Sequence, residues 1–317
     1  MSSNIPETLP YLALGPDQVG LHPQGHRAPA RLRLGTVTLQ VADLQASVAF
    51  YQQVIGFEVK SLQEGVARMG VPGEPEVLLE LREKKGVRPA VHRGRLGLYH
   101  FAVLLPTQAD LGRFIRHAQG LGVHVGMSDH HYSEATYLKD PDGISIEVYR
   151  DRPQQDWVVS VEGEILGGGD PLDVQKLQEA ARDVPYQGLP AGSTMGHLHF
   201  YVEDLQDAAR FYHQGLGLDQ VGWRHPTALF LSRDGYHHHI GLNTWAKGSP
   251  VSSEEDARLL TWELLLPTDR DLEPMKSSLQ EAGFGVRDVG GADGFQASDP
   301  WGITVWVRSV EPEVLSL

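Results

Sequence analysis

Short runs of alternating apolar and polar residues recur along the chain. In "TVTLQV" (36–41) and "HLHFYV" (197–202) every second side chain is apolar, the period of a strand with one covered face. Each run leads into an aspartate, Asp43 or Asp204, at the place where a helix wants its N-cap. Then come "LQASVAFYQQVIG" and "LQDAARFYHQGLG", apolar at helical spacing and closing on glycine. "VLLELRE" and "HHHIGLNTW" read as later strands. "PTQADLGRFIRHAQGLGV" and "PTDRDLEPMKSSLQEAGFGV" read as further helices. The pattern predicts an α+β protein of four βαβββ units, at about 32–92, 96–152, 194–250 and 258–310.

The first and second units recur as the third and fourth. Gly35 matches Gly196, Asp43 matches Asp204, Phe50 and Tyr51 match Phe211 and Tyr212, and Gly56 matches Gly217, all at an offset of 161. "GLYHFAVLLP" (97–106) and "LLTWELLLP" (259–267) obey the same offset, with His100 in one copy and Thr261 in the other. "KDPDGISIEV" (139–148) faces "SDPWGITVWV" (298–307). The expected organisation is a tail over 1–31, a half over 32–152, a connector over 153–193, a half over 194–310 and a tail over 311–317. The connector carries a Gly-Gly-Gly-Asp-Pro break and one short helix. Extended, it spans well over about 100 Å, so chain order does not oblige consecutive units to pair.

Composition narrows the class. Two domains suit 317 residues, and 41% hydrophobic with 21% charged residues suits a globular core. With 27 Lys and Arg against 41 Asp and Glu, the net charge of −14 disfavours nucleic acid or an anionic membrane as partner. No cysteine is present, which excludes disulfides, thiolate ligands and a cysteine nucleophile; the fifteen histidines are the only nitrogen ligands of that kind. The N-terminus lacks a basic segment followed by an apolar one, and no run approaches the ~18 apolar residues of a membrane span. The expected location is the cytoplasm.

"GLYHFAVLLP", "DPDGISIEVY", "GHLHFYVEDL" and "GYHHHIGLNTW" resemble the vicinal oxygen chelate superfamily of glyoxalase I, extradiol ring-cleaving dioxygenases and bleomycin- or fosfomycin-resistance proteins. From about residue 30 to 310 the chain is most similar to bacterial two-domain catechol 2,3-dioxygenase-like proteins. The resemblance implies half-barrel domains in which two units together offer metal ligands from their first and last strands. On first strands that position falls at Thr36, His100, His197 and Thr261; on last strands it falls at Glu147 and Trp306. Units paired in chain order leave each site incomplete. Pairing the second unit with the third, within one chain or across a homodimer, unites His100, His197 and Glu147, a set of two imidazoles and one carboxylate that suits non-haem Fe(II).

His197 competes with His199, which lies on the same strand face; it is preferred because it stands seven residues before Asp204, as the ligand does in the extradiol family. By the same resemblance His238 in "GYHHHIGL" is a catalytic acid/base, with His237 and His239 on the opposite face. Tyr137, ten residues before Glu147, is a substrate-binding tyrosine. His130, with His131, is placed at the entrance, although the spacing there departs from the family's. Glu80, His22 and His26 are expected to be solvated. The implied reaction joins O₂ to a catechol or related small aromatic diol, giving a ring-opened muconic semialdehyde. Two alternatives stay open. One is a glyoxalase-like lyase or isomerase using Mn(II), Zn(II), Ni(II) or Co(II), with a further protein ligand. The other is a non-enzymatic small-molecule-binding protein.

Overall fold

The structure is a computed structural model that describes residues 7–289 and 294–310; the tail expected over 311–317 lies outside the described residues. Strand β1 (Thr8–Pro10) precedes the first unit, which comprises β2 (Arg33–Val41), helix α1 (Leu44–Phe50), β3 (Glu58–Gln63), β4 (Val66–Gly70) and β5 (Leu79–Glu83). The second unit runs β6 (Gly97–Leu104), α2 (Gln108–Gly120), β7 (Gly126–Asp129), β8 (Ser133–Lys139) and β9 (Ser145–Asp151). The connector holds β10 (Val158–Ser160) and α3 (Val174–Ala181). The third unit is β11 (Thr194–Tyr201), α4 (Leu205–Ala209), β12 (Asp219–Gly222), β13 (Ala228–Ser232) and β14 (Ile240–Asn243). The fourth is β15 (Arg258–Leu266), α5 (Leu272–Glu281), β16 (Val286–Asp288), β17 (Gly294–Ser298) and β18 (Thr304–Ser309).

The caps behave as their residue types require. Asp43 accepts a hydrogen bond from the Ala46 N–H at 2.9 Å, and Asp204 accepts from the N–H groups of Gln206 and Asp207. Both α1 and α4 then widen by a π-type turn. After α1 the chain reverses at Gly56, whose φ of 93° and whose close approach to Gly188, 2.5 Å from where a Cβ would stand, admit only glycine.

Two eight-stranded sheets result, and each draws one unit from each half of the chain. One has the order β12-β13-β14-β11-β6-β9-β8-β7, joining the third unit to the second; the other, β16-β17-β18-β15-β2-β5-β4-β3, joins the fourth to the first. At each seam the two first strands run antiparallel, flanked by the parallel last strand of their own unit. Alternation then divides the side chains. Phe101 and Val103 of β6, with Leu198 and Phe200 of β11, enter an apolar core shared with Val37, Leu39, Trp262 and Leu264 of the other sheet. The core crosses between sheets at Phe200 against Trp262, with ring centroids 6.2 Å apart. Related clasps tie the sheets together: Tyr51 donates to Asp140 at 2.9 Å and Tyr212 to Asp299 at 3.1 Å.

Three expectations are corrected here. The N-terminal segment is folded from β1 onward, since β1 pairs with β10 and Tyr11 donates to the Gly235 carbonyl. Within it His22 is exposed as expected, with Asp219 at 2.9 Å, whereas His26 is half-buried rather than freely solvated. Glu80 is buried between Arg68 and Arg82, each donating at 2.7 Å. Two flanking guanidinium groups make burial of a strand carboxylate tolerable. Among the described residues no helix is long and apolar enough to cross a membrane.

Candidate metal centre

The register of three adjacent strands assembles the site. Ala102 of β6 is paired with His197 of β11 on one side and Glu147 of β9 on the other. His100, two residues before Ala102, lies on the same face. The small methyl of Ala102 leaves the space above it to its larger neighbours. His100, His197 and Glu147 are all buried and each offers a ligand atom within 4.8 Å of the others. Among the described residues this is the only such group.

Both imidazole Nε2 atoms stand 3.1 Å from the same Glu147 oxygen. Only the one from His197 is aligned as a hydrogen bond; His100 has neither ring nitrogen partnered, and His197 Nδ1 is also unpartnered. Buried nitrogens left unsatisfied are costly. The donor set, two imidazoles converging on one carboxylate oxygen with His100 Nε2 left unpartnered, fits a divalent cation. Burial alone would raise the pKa of Glu147, but the facing imidazoles outweigh it and hold the carboxyl well below its ordinary range. Burial lowers His100 against the opposing pull of Glu147. An anionic carboxylate is the state in which Glu147 could act as a ligand.

The counterpart place in the other sheet is filled. Where the first sheet has Ala102 beside Glu147, the second has Glu263 beside Trp306. The Glu263 carboxylate accepts from the Thr36 N–H at 3.0 Å, faces Arg308 at 3.5 Å and would lie 2.5 Å from a Cβ on Gly35. Thr261 holds the position of His100 with its hydroxyl buried and unpartnered among the described residues.

A cavity of about 770 Å³ opens over the three residues, walled by Tyr99, Tyr132, Phe230 and Trp245. His130 and Tyr137 both line it. The Tyr137 hydroxyl donates to His130 Nε2 at 2.6 Å, and His130 Nδ1 donates to the Gly168 carbonyl at 2.8 Å. Burial, reinforced by Glu147, pushes the Tyr137 phenol well above its ordinary range. His238 lines the cavity with its ring 4.2 Å from that of His197. Burial and neighbouring imidazoles hold His238 well below the usual histidine range, hence neutral. His199 lines the wall as well, but its Nε2 is taken by the Asn243 amide at 3.0 Å.

The histidine triplet departs from the alternation expected of it. Strand β14 begins only at Ile240, so residues 237–239 form a bend and no face rule governs them. His237 is buried, not exposed, and stacks on Tyr132 at 4.4 Å; His239 is half-buried and bonds Ser232. A chain of contacts follows: Asp151 to His237 Nε2 at 2.7 Å, then His237 Nδ1 to His238 Nδ1 at 2.8 Å. The Asp151 carboxylate accepts, so His237 carries its proton on Nε2 and accepts at Nδ1. His238 therefore donates from Nδ1 and keeps a lone pair on Nε2.

The sequence pattern put His237 on the opposite face, gave no sign of Asp151 and did not assign the connector its part in the cavity. The connector supplies Glu164, Ile165 and Gly168 to the cavity wall. A Cβ on Gly168 would fall 2.2 Å from the His131 ring, so the glycines allow the backbone to lie flat across the entrance. The Gly-Gly-Gly run was the available signal.

Comparison with known proteins agrees with this architecture. The model of the glyoxalase/bleomycin resistance protein/dioxygenase superfamily matches residues 33–148 and 194–307. The chain belongs to that superfamily. Within it, the chain is 37% identical over 273 residues to the catechol-2,3-dioxygenase of Bacillus subtilis (strain 168), covering 84% of this chain and 93% of that one. Among solved structures, a Bacillus subtilis protein described as a candidate dioxygenase superposes with a TM-score of 0.60 at 14% identity, over 88% of this chain and 85% of that one. Glyoxalase I from Zea mays gives 0.53 at 14% identity, over 88% and 92%. These two share the superfamily's fold with this chain.

Proposed function

We propose that this protein is an extradiol-type ring-cleaving dioxygenase acting on a catechol or related aromatic diol. His100, His197 and Glu147 would hold a divalent metal, Fe(II) in the first place. The reading is carried by one observation: three buried ligand atoms within 4.8 Å, set in the floor of an aromatic-walled cavity. The similarity to a catechol-2,3-dioxygenase over most of the chain supports it. The glyoxalase-like alternative asks for another protein ligand, and the nearby His199 is already engaged by Asn243.

A bound Fe(II) would supply Lewis acidity toward the diol and electrons for O₂ chemistry. The protein's own groups do the rest. The aromatic walls hold the flat ring and exclude water. Tyr137 offers its hydroxyl toward the diol side of the cavity, and His130, fixed by the Gly168 carbonyl, can take the proton from that hydroxyl. His238 presents a neutral Nε2 as proton acceptor, kept in that tautomer by His237 and Asp151.

Protein loaded with Fe(II) under anaerobic conditions and then given catechol and air should turn yellow as the semialdehyde forms, with matching O₂ uptake. Absence of turnover across a panel of catechols and hydroquinones would overturn the proposal.

A further inference from the structure

A second cavity, of about 290 Å³, lies at the end of the sheets where the loop 88–96 passes the turn 252–257. It meets the central cavity at a single residue, Tyr99. A bulge explains that sharing. The register of β6 on β11 pairs His100 with His199 but Leu98 with Phe200, so Tyr99 is the extra residue and leaves the normal alternation. Its ring then packs 4.7 Å from Tyr201 and 5.7 Å from Trp245, between the two spaces.

Part of the wall of this second cavity is apolar and aromatic: Leu96, Leu98, Ile144, Tyr99 and Tyr201. Its charge is not that of the rest of the molecule. In a chain of net charge −14, three arginines line it, Arg88, Arg95 and Arg258. Two are neutralised. Arg88 stands 2.9 Å and Arg95 3.2 Å from the buried Asp256, and Arg88 also lies 3.9 Å from Glu255. Arg258 is different: among the described residues its side chain makes no ion pair or hydrogen bond, and its Nε is buried and unsatisfied. A half-buried guanidinium without a partner is unfavourable, and an anion in the cavity would relieve it.

We propose that this cavity is a binding site for a small, flat organic monocarboxylate, with Arg258 receiving the carboxylate and the Tyr99, Tyr201 and Leu98 side chains covering the body. The fork of one free guanidinium matches a carboxylate. A phosphate would call for several converging donors, and Arg88 and Arg95 are already engaged by Asp256. The volume lies at the small end of ligand pockets, which suits a one-ring acid. The site does not depend on the metal reading. Two sources share this chemistry: an aromatic acid from elsewhere, or the unsaturated acid that ring opening would generate on the far side of Tyr99.

Titration calorimetry of the full-length protein with benzoate tests it. Saturable binding is expected with a Kd at or below about 1 mM, weakening as salt is raised. Arg258→Met should weaken it about tenfold or more and Arg258→Lys should restore part of the loss. Leu98→Trp, which fills the second cavity, should abolish it, whereas Phe230→Trp, which fills the central one, should leave it unchanged. Thermal melts identify any variant that fails to fold, and each of the remaining variants decides the question alone. Absence of saturable binding at about 10 mM benzoate, binding lost in Phe230→Trp, or binding kept at full strength in Arg258→Met would each overturn the proposal. The ring-opened acid binding at least about tenfold more tightly than benzoate assigns the site to feedback by product; equal or weaker binding assigns it to an outside acid.

Discussion

Between His197 and Glu147 the sheet places a single methyl group, that of Ala102. Its counterpart, Glu263, shows what a longer side chain does there: it occupies the space, accepting a hydrogen bond from the Thr36 N–H and facing Arg308. Ala102→Val should therefore abolish metal retention while costing only about 1–3 kcal/mol in stability, the ordinary penalty for overpacking. Metal analysis beside a melting curve checks both parts. His100→Ala, His197→Ala and Glu147→Ala should each lose the metal, whereas Thr261→Ala should keep it. The clustering of His100, His197 and Glu147 could be expected from the sequence because the family resemblance marked places on first and last strands and the repeat supplied a comparison position for each. His237 and Asp151 could not. They act through a bend, where neither alternation nor helical spacing assigns a direction, and through a contact 86 residues apart. Asp151→Asn should leave metal content unchanged and lower turnover by about 10- to 100-fold, since His238 would lose the partner that fixes its tautomer. Steady-state kinetics on fully metal-loaded protein would show it, and unchanged kcat would remove Asp151 from the mechanism.

At the scale of elements, strand and helix positions were legible in period and caps, while the bulges were not. A bulge leaves no compositional mark beyond an occasional glycine. Gly196 is one such residue, extra on β11 between the pairs Met195 with Val103 and His197 with Ala102. A Cβ there would lie 2.0 Å from the Tyr149 hydroxyl, and Tyr149 packs its ring 4.8 Å from that of His197. Gly196→Ala should displace Tyr149 and weaken metal binding as well as lowering the melting temperature. The clasps between elements make a different prediction. Burial pushes Asp140 up to about 7, despite hydrogen bonds from Ile144 and Tyr51 that favour its anion. The unfolded value is near 3.9. Between those values the folded protein holds more protons than the unfolded one, so this group's contribution to stability falls as pH rises from about 4 to about 7. Asp299, pushed up to about 6, acts in the same direction over a narrower window. Asp140→Asn removes the titration and retains a side chain able to bond Tyr51. Its melting temperature relative to the parent should therefore be higher at pH 8 than at pH 4, by an amount on the order of 1–4 kcal/mol in stability.

On the scale of the whole molecule, connectivity and pairing run across each other. Each half of the chain contributes one unit to each sheet, so neither half alone carries the whole candidate metal centre: His100 and Glu147 come before the connector, His197 after it. The repeat made it legible that four units exist, and the distribution of ligand types among them argued for joining the second to the third. What the repeat could not convey is that the connector becomes a wall of the cavity, because its residues have no counterpart elsewhere in the chain. A split at the exposed residues 191 and 192 keeps that wall with the first two units. Expressed separately, the two pieces would each leave the seam edges of their first strands unpaired, β2 and β6 in one and β11 and β15 in the other, and such edges invite aggregation. Neither piece should retain metal. Coexpressed, they should recover both sheets and bind one metal ion per pair, because the strand pairings across each seam do not require a covalent link between the halves. Metal retention by the first piece alone would show that His100 and Glu147 suffice without His197, and the centre would then have to be redrawn within the second unit.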